Sequence, residues 1–264
     1  MTTPDRPLRF ELTVEVPGTP EQVWDAIATA RGISAWMMPT DMDERAGGAV
    51  VFHMGPEEKS EGTVTGFEPP RRLVYEEDWA TLVGQDPATV TPLVTEFLVE
   101  AASGGTCVVK VVSSAFGSGA DWENEFFADM AKGWTPVFDH LRLYLAHFPG
   151  KAATFLEAIA DVPGTPEAVM AAVRQDLGAG RAGDTVAARG LRGDVERVAD
   201  TNVLVRLADP LPGYLAVFAF GAGDKTSARL GGYLFAADAP AYVEREQAGW
   251  QAWLEGVAAG AGRR

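Results

Sequence analysis

Apolar and polar residues alternate through "LRFELTVEV" (Leu8–Val16), the period-two pattern of a strand with one buried face. Pro17 and Gly18 then turn the chain. Thr19 is a good helix N-cap, Pro20 suits the first helical position, and Gln22 completes a capping-box pattern. Val23, Ala26, Ile27 and Ala30 follow at helical spacing. The same plan returns later. "TFLEAIADV" (Thr154–Val162) reads as a strand, Thr165 as the cap and Pro166 as the first helical residue, with Met170, Val173 and Leu177 as the apolar stripe. The six residues "VPGTPE" are identical at Val16–Glu21 and Val162–Glu167, 146 positions apart. Ala168 stands where Gln22 stands in the first copy, so the second cap is expected to be weaker. The repeated hexapeptide is strand-to-helix punctuation, and its recurrence reports a duplicated unit.

Copy one continues as strands: "AVVFHM" (49–54), "EGTVTGF" (61–67), "RLVYEEDW" (72–79), "LVTEFLVEA" (93–101) and "TCVVKVVSS" (106–114). The turn signals "MGPEEK", "EPPRR" and "ASGG" separate them, which predicts an antiparallel meander. A long helix is predicted over Asp121–Phe148, with Pro136 inside it to kink it or remove a hydrogen bond. Copy two is shorter. Its candidate strands are "DTVAARG", "DVERVA", "NVLVRLA", "YLAVFAF" and "TSARLGGYLFA", closed by a helix over Ala239–Val257. The pair Gly133-Trp134 recurs as Gly249-Trp250, so the offset has fallen to 116. Two domains, 1–149 and 150–264, are therefore expected. The short joining segment "HFPGKAAT" is expected to hold them side by side, as a monomer with intramolecular pseudo-dimer packing. The tail "AAGAGRR" (258–264) reads as disordered.

Composition narrows the possible partners. The 264 residues are 47% hydrophobic, enough for a sizeable core, and 37 acidic against 22 basic residues give a net charge of −15. That charge is a poor footprint for nucleic acid or an anionic membrane. No apolar run is long enough for a membrane span, and "MTTPDRPLRF" lacks the apolar core of a signal peptide. The one cysteine, Cys107, lies in the strand-like "TCVVKVV" and is expected to be a small core residue in a reducing, cytoplasmic setting.

Catalytic signals are sparse. His140 and His147 lie on one predicted helix as solvated or capping residues, and His53 is expected on the outer side of its strand. None has metal-ligand spacing, and no Ser-His-Asp order, HExxH or CxxC occurs. Gly47-Gly48 lacks the following helix or lysine of a phosphate loop and suits a bend with no room for a Cβ. The one acid–base candidate is "YEED" (Tyr75–Asp78), where one carboxylate could face inward and have its pKa raised by burial. No catalytic residue, metal or cofactor is assigned.

Several stretches of copy one, taken in order, resemble a known family: "TPEQVWDAI", "GISAWMMP", "RAGGAVVF", "EGTVTGFEPPRRLVYEE", "TEFLVEAASGGTCVVKVVSSAF" and "KGWTPVFDHLRLYL". Together they resemble the activator-of-Hsp90-ATPase-like group of the START/Bet v1 (SRPBCC) superfamily. The resemblance implies an α+β fold of two tandem helix-grip domains, each a curved antiparallel sheet wrapped around a long C-terminal helix. Copy two resembles the family only at its ends. It has no counterpart of "AWMMP" or "AGGAVVF", so no equivalent pocket is expected there.

The family places a cavity between sheet and helix. Alternation then puts Cys107, Val109, Val111, Thr95, Phe97 and Val99 on the inner face. The ligand-binding residues this implies fall in three groups. Trp36, Met37 and Met38 stand at the mouth. Phe52, Met54, Tyr75, Trp79 and Phe97 come from the sheet. Phe126, Phe127, Met130 and Trp134 come from the helix. Large aromatics and methionines make adaptable walls for an apolar ligand. The function this resemblance implies is binding of a hydrophobic or polycyclic small molecule, without a cofactor. One branch of the family serves natural-product producers as self-resistance proteins against enediyne antibiotics. Two alternatives are a polyketide cyclase or aromatase using the same cavity, and a co-chaperone-type interaction protein.

Overall fold

The computed structural model describes residues 5–55, 58–222 and 225–261. Part of the predicted "MGPEEK" turn, Pro56 and Glu57, lies outside them. The chain divides into two compact units, Met1–Ala152 and Ala153–Arg264.

The first unit opens with strand β1 (Arg6–Pro17), on which Leu8, Val14 and Val16 are buried while Arg9, Glu11, Thr13 and Glu15 face water. Helix α1 (Pro20–Ala28) carries the expected box. The Thr19 backbone N–H donates to Gln22 Oε1 at 2.9 Å, and the Gln22 N–H donates to Thr19 Oγ1 at 3.4 Å. A second short helix, α2 (Ala30–Ser34), is capped by Thr29, whose hydroxyl accepts from the Gly32 N–H at 2.9 Å. The meander follows as β2 (Thr40–Met42), β3 (Ala49–His53), β4 (Lys59–Glu68), β5 (Arg72–Glu77), β6 (Leu93–Ala101) and β7 (Thr106–Gly117). Helix α3 (Asp121–His147) closes the unit and continues through Pro136. The seven strands are antiparallel in the order β1-β7-β6-β5-β4-β3-β2.

Several local readings are refined. β2 is too short to show periodicity, and the pattern did not reveal it. β5 ends at Glu77, so Trp79 lies beyond the strand. Likewise β3 ends at His53, so Met54 begins the following turn. Gly47 has φ +77°, and a Cβ on Gly48 would stand 2.4 Å from the Asp43 carbonyl oxygen. That bend has no room for a side chain. Gly104 and Gly105, at φ +76° and +79°, supply the positive φ pair of the β6–β7 hairpin.

The second unit repeats the plan with fewer parts: β8 (Thr154–Val162), α4 (Pro166–Leu177), β9 (Thr185–Val186), β10 (Arg192–Val198), β11 (Asn202–Asp209), β12 (Gly213–Ala222), β13 (Lys225–Leu234) and α5 (Ala239–Ala261). Its sheet order is β8-β13-β12-β11-β10-β9, the order of the first sheet with one edge strand missing. Thr165 caps α4 through the Ala168 N–H at 3.3 Å, without the reciprocal bond Gln22 makes in copy one. Helix α5 runs through Ala258–Ala261, correcting the reading of that stretch as disordered, because Ala258 is buried in the core. Residues 262–264 lie outside the description. The run "DTVAARG" forms a strand only at Thr185–Val186. Leu156, Ala158, Ala160 and Val162 of β8 pack with Met170, Val173 and Leu177 of α4 and with Trp250, Trp253 and Leu254 of α5.

The two units differ most in two connections. Between α1 and β3 the first unit inserts residues 29–48, whereas α4 and β9 are joined by residues 178–184. Between β5 and β6 it inserts residues 78–92, whereas β11 and β12 are joined by residues 210–212 alone. No helix among the described residues is long and apolar enough to cross a membrane.

Candidate functional site

Strand register aligns the inner face of the first sheet in rows. One row reads Phe10, Ser113, Thr95, Tyr75 and Val64 across five strands. Beyond it, Leu8 pairs with Ala115, and Leu93, Glu77, Gly62 and Val50 align across β6 to β3. An otherwise apolar face therefore carries a polar stripe. Thr95 Oγ1 and Ser113 Oγ lie 3.2 Å apart, both buried, and the Ser60 hydroxyl donates to Glu77 Oε1. Such hydroxyls are tolerated inside because each has a partner.

Two groups in this stripe have displaced acidities. Burial pushes the Tyr75 phenol well above its ordinary value, the Glu77 charge adds to this, and hydrogen bonding to Thr95 opposes it. Tyr75 is therefore a neutral O–H donor. Burial also raises the Glu77 carboxyl, against the opposing Ser60 hydrogen bond. Of the "YEED" acids, Glu77 is the one on the inner face, opposite Gly62 and Leu93.

The sequence-predicted aromatics separate into two groups. In the first, Phe52 lies 5.2 Å from Tyr75, Tyr75 6.3 Å from Phe97, and Phe97 5.6 Å from Trp134 of α3, where Trp134 meets Phe138 at 5.4 Å. In the second, Trp79 is fully buried with ring centroids 4.9 Å from Trp122, 4.9 Å from Phe126 and 5.3 Å from Phe127. Met130 packs against that group. The Trp79 indole N–H donates to the Thr91 carbonyl at 2.8 Å, which ties the β5–β6 connection to the cluster. Trp36 belongs to neither: it is fully buried and its indole N–H donates to the Ala26 carbonyl of α1 at 2.8 Å. Met37, Met38 and Met54 are partly buried.

The histidines are placed differently from one another. His53 is exposed, as its alternation predicts, with Nε2 2.9 Å from Asp41 Oδ2. His147 is exposed at the end of α3. His140, read as solvated or capping, is instead buried, and its Nδ1 donates to the Trp36 carbonyl at 3.3 Å. The helix turns it toward the segment after α2, a tertiary contact invisible to spacing.

A cavity of about 320 Å³ opens beside the second aromatic group. One wall is the β4–β5 pair, from Glu61, Thr63, Glu76 and Glu77, continued by Asp78. The other is the β5–β6 connection, from Pro87, Val90, Thr91 and Pro92, and Trp79 backs the space. Of the twelve predicted ligand residues, Trp79 alone lines it. The wall from the β5–β6 connection was missed because "QDPATVTP" carries no periodicity. Its two prolines, Pro87 and Pro92, were the available signal that a rigid loop stands there.

At the head of α3, Glu123 is fully buried. Its carboxylate accepts from the Ser118 N–H and hydroxyl, both at 2.8 Å, and from the Gly119 N–H at 2.9 Å. Burial works to raise this carboxyl, but the hydrogen bonds outweigh it and leave the pKa below the ordinary range. Trp122 and Phe126, which contact Trp79, lie on the same first turns of α3 and are positioned by this anchor.

A curved antiparallel sheet with a strand-turn-helix entrance and a long closing helix defines a helix-grip domain, here in two tandem copies. Residues 17–146 match the model of the family described as activator of Hsp90 ATPase homolog 1-like protein. Among solved structures, DynU16, from the dynemicin biosynthetic locus, is 15% identical with a TM-score of 0.44, over 98% of this chain and 100% of that one. The di-domain ARO/CYC BexL from the BE-7585A biosynthetic pathway is 12% identical with a TM-score of 0.45, over 97% and 99%. CalU16 from Micromonospora echinospora is 17% identical with a TM-score of 0.41, over 52% and 76%. No curated protein matches the chain.

Proposed function

We propose that the first unit binds a hydrophobic, ring-bearing small molecule. The observation that carries this reading is the junction at Trp79. There a cluster of aromatic side chains from the sheet end and α3 backs a cavity of about 320 Å³. That volume falls at the lower end of small-molecule sites, about 300–1,000 Å³. Mixed apolar walls with a few polar groups are the usual composition of such sites. A thermal-shift screen of the full chain against apolar metabolites and aromatic polyketides tests the reading. Stabilisation by at least one ring compound supports it, and its loss in Trp79→Leu locates it. A blank screen overturns it.

The biological setting we propose is the handling of a polycyclic natural product, as carrier or self-resistance protein. Expression in a drug-sensitive host that gives no gain in tolerance counts against that setting. A second reading has its own support. Glu77 and Tyr75 share the inner face, one a carboxyl of raised pKa and the other a neutral phenol donor. That pair suits general acid–base work on a bound polyketide, as in a cyclase. Glu77→Gln and Tyr75→Phe separate the two: a carrier keeps its function in both variants, whereas a cyclase loses turnover while retaining binding.

A further inference from the structure

We propose that Arg31 and Tyr144 form a latch that binds the segment after α3 into the first unit, so that no more than the dipeptide Ala152–Ala153 is left as a joint before β8. Most of the stretch "HFPGKAAT" then belongs to the first unit and does not act as a linker.

The segment is first ordered by its own sequence. Phe148 is buried, and its N–H donates to the Tyr144 carbonyl at 2.7 Å as α3 ends. Pro149 and Gly150 occupy the centre of a tight turn, closed by the Lys151 N–H donating to the Phe148 carbonyl at 3.0 Å. Gly150 has φ +74°, as the third residue of a type II turn requires, and proline is favoured at the position before it. Such a turn by itself leaves the carbonyls of Gly150 and Lys151 to water.

Each of those carbonyls is instead taken by a side chain from the body of the unit. Arg31 Nη1, from α2, donates to the Gly150 carbonyl at 2.9 Å. Its Nη2 donates to both oxygens of Asp25 on α1, at 2.8 and 2.9 Å, which fixes the plane of the guanidinium. The Tyr144 hydroxyl, on a fully buried ring of α3, donates to the Lys151 carbonyl at 3.1 Å. The grip ends at Lys151, and the chain divides into its two units between Ala152 and Ala153. Arg31 lies in residues 29–48, the longer connection that the second unit lacks, and the position 116 residues beyond Tyr144 is Gly260. The latch is a property of the first copy alone.

Limited trypsin digestion of the full chain, read by mass spectrometry, tests the latch. Lys151 is exposed, so only the held backbone protects the peptide bond after it. Two partly exposed bonds of ordinary strength together shift an opening equilibrium by about tenfold. The double variant Arg31→Gln/Tyr144→Phe should therefore be cut after Lys151 about tenfold faster than wild type, while cleavage after the exposed Lys132 of α3 keeps its rate. A wild-type chain cut after Lys151 as fast as the variant overturns the proposal. A variant in which cleavage after Lys132 and Lys151 accelerates together also overturns it, because the whole unit has then loosened. Backbone order parameters from nuclear magnetic resonance give a second measurement. Residues 148–151 should match α3 in wild type, at about 0.85, and fall toward about 0.6 in the double variant. Values across 148–151 that are already low in wild type overturn the latch.

Discussion

Replacing Glu123 by glutamine should unfold the first unit at a markedly lower temperature, and the size of the effect can be worked from its hydrogen bonds. The carboxylate accepts from Ser118 through one oxygen and from the Gly119 N–H through the other. Glutamine keeps one carbonyl oxygen for Ser118 but turns an N–H₂ toward the Gly119 N–H. One hydrogen bond to a charged group is lost, at about 1.5–3 kcal/mol, and two more fall from charged to neutral strength, at roughly 1 kcal/mol together. About 3 kcal/mol is therefore expected, which for a unit of this size lowers Tm by about 6–12 °C. The pH profile gives a second readout. Because the folded-state pKa is depressed, Glu123 contributes stability above the ordinary carboxylate range and loses it as pH falls through the folded value. The difference between wild type and variant should accordingly be full at pH 7 and shrink toward pH 3. Differential scanning calorimetry of the full chain measures both. A Tm within 2 °C of wild type at pH 7, or a difference that does not shrink in acid, refutes the assigned role. Gly117→Ala gives an independent check, since its Cβ would stand 2.2 Å from the same carboxylate. It should destabilise in the same direction and combine with Glu123→Gln less than additively.

Other consequences concern the site and the repeat. Glu77 holds its proton more tightly folded than unfolded, so wild type loses stability as pH rises from the ordinary carboxylate range through the raised value. Glu77→Gln should be the more stable protein at pH 8 and gain little at pH 4; a pH-independent difference in Tm contradicts this. Trp79→Phe keeps a ring but removes the 2.8 Å bond to Thr91, and should cost about 1 kcal/mol in urea unfolding while weakening ligand binding through a looser β5–β6 connection. Thr19→Ala and Thr165→Ala each remove one side-chain cap bond and should each cost about 0.5–2 kcal/mol in urea unfolding, whereas Gln22→Ala removes the bond from the Thr19 backbone N–H and should cost about 0.5–1 kcal/mol. No loss of stability in Gln22→Ala would show that the glutamine contributes nothing.

The scaffold was readable because its signals are local. Alternation identified the strands, Thr19, Pro20 and Gln22 marked the helix start to the residue, and Gly47-Gly48 and Gly104-Gly105 marked bends that only their backbone freedom explains. Inner-face assignment followed from the same period, as the buried Cys107, Val109, Val111, Phe97 and Val99 show. The cavity was not readable in that way. Its second wall is an aperiodic connection held by one tertiary bond from Trp79, and nothing in the spacing of "QDPATVTP" says which strand it lies against. His140 illustrates the same limit, since a polar residue on an amphipathic helix looks solvated until a neighbouring carbonyl is found above it. The resemblance named the aromatic residues as one set, whereas the structure divides them between two clusters and leaves Trp36 in neither.

The unequal connections of the two units separate scaffold from specificity. The second unit keeps the strand order with residues 210–212 where the first spends residues 78–92. The longer connection is therefore not a requirement of the topology. It supplies one wall of the cavity while leaving the sheet order untouched, so its sequence and length can vary without renegotiating the fold.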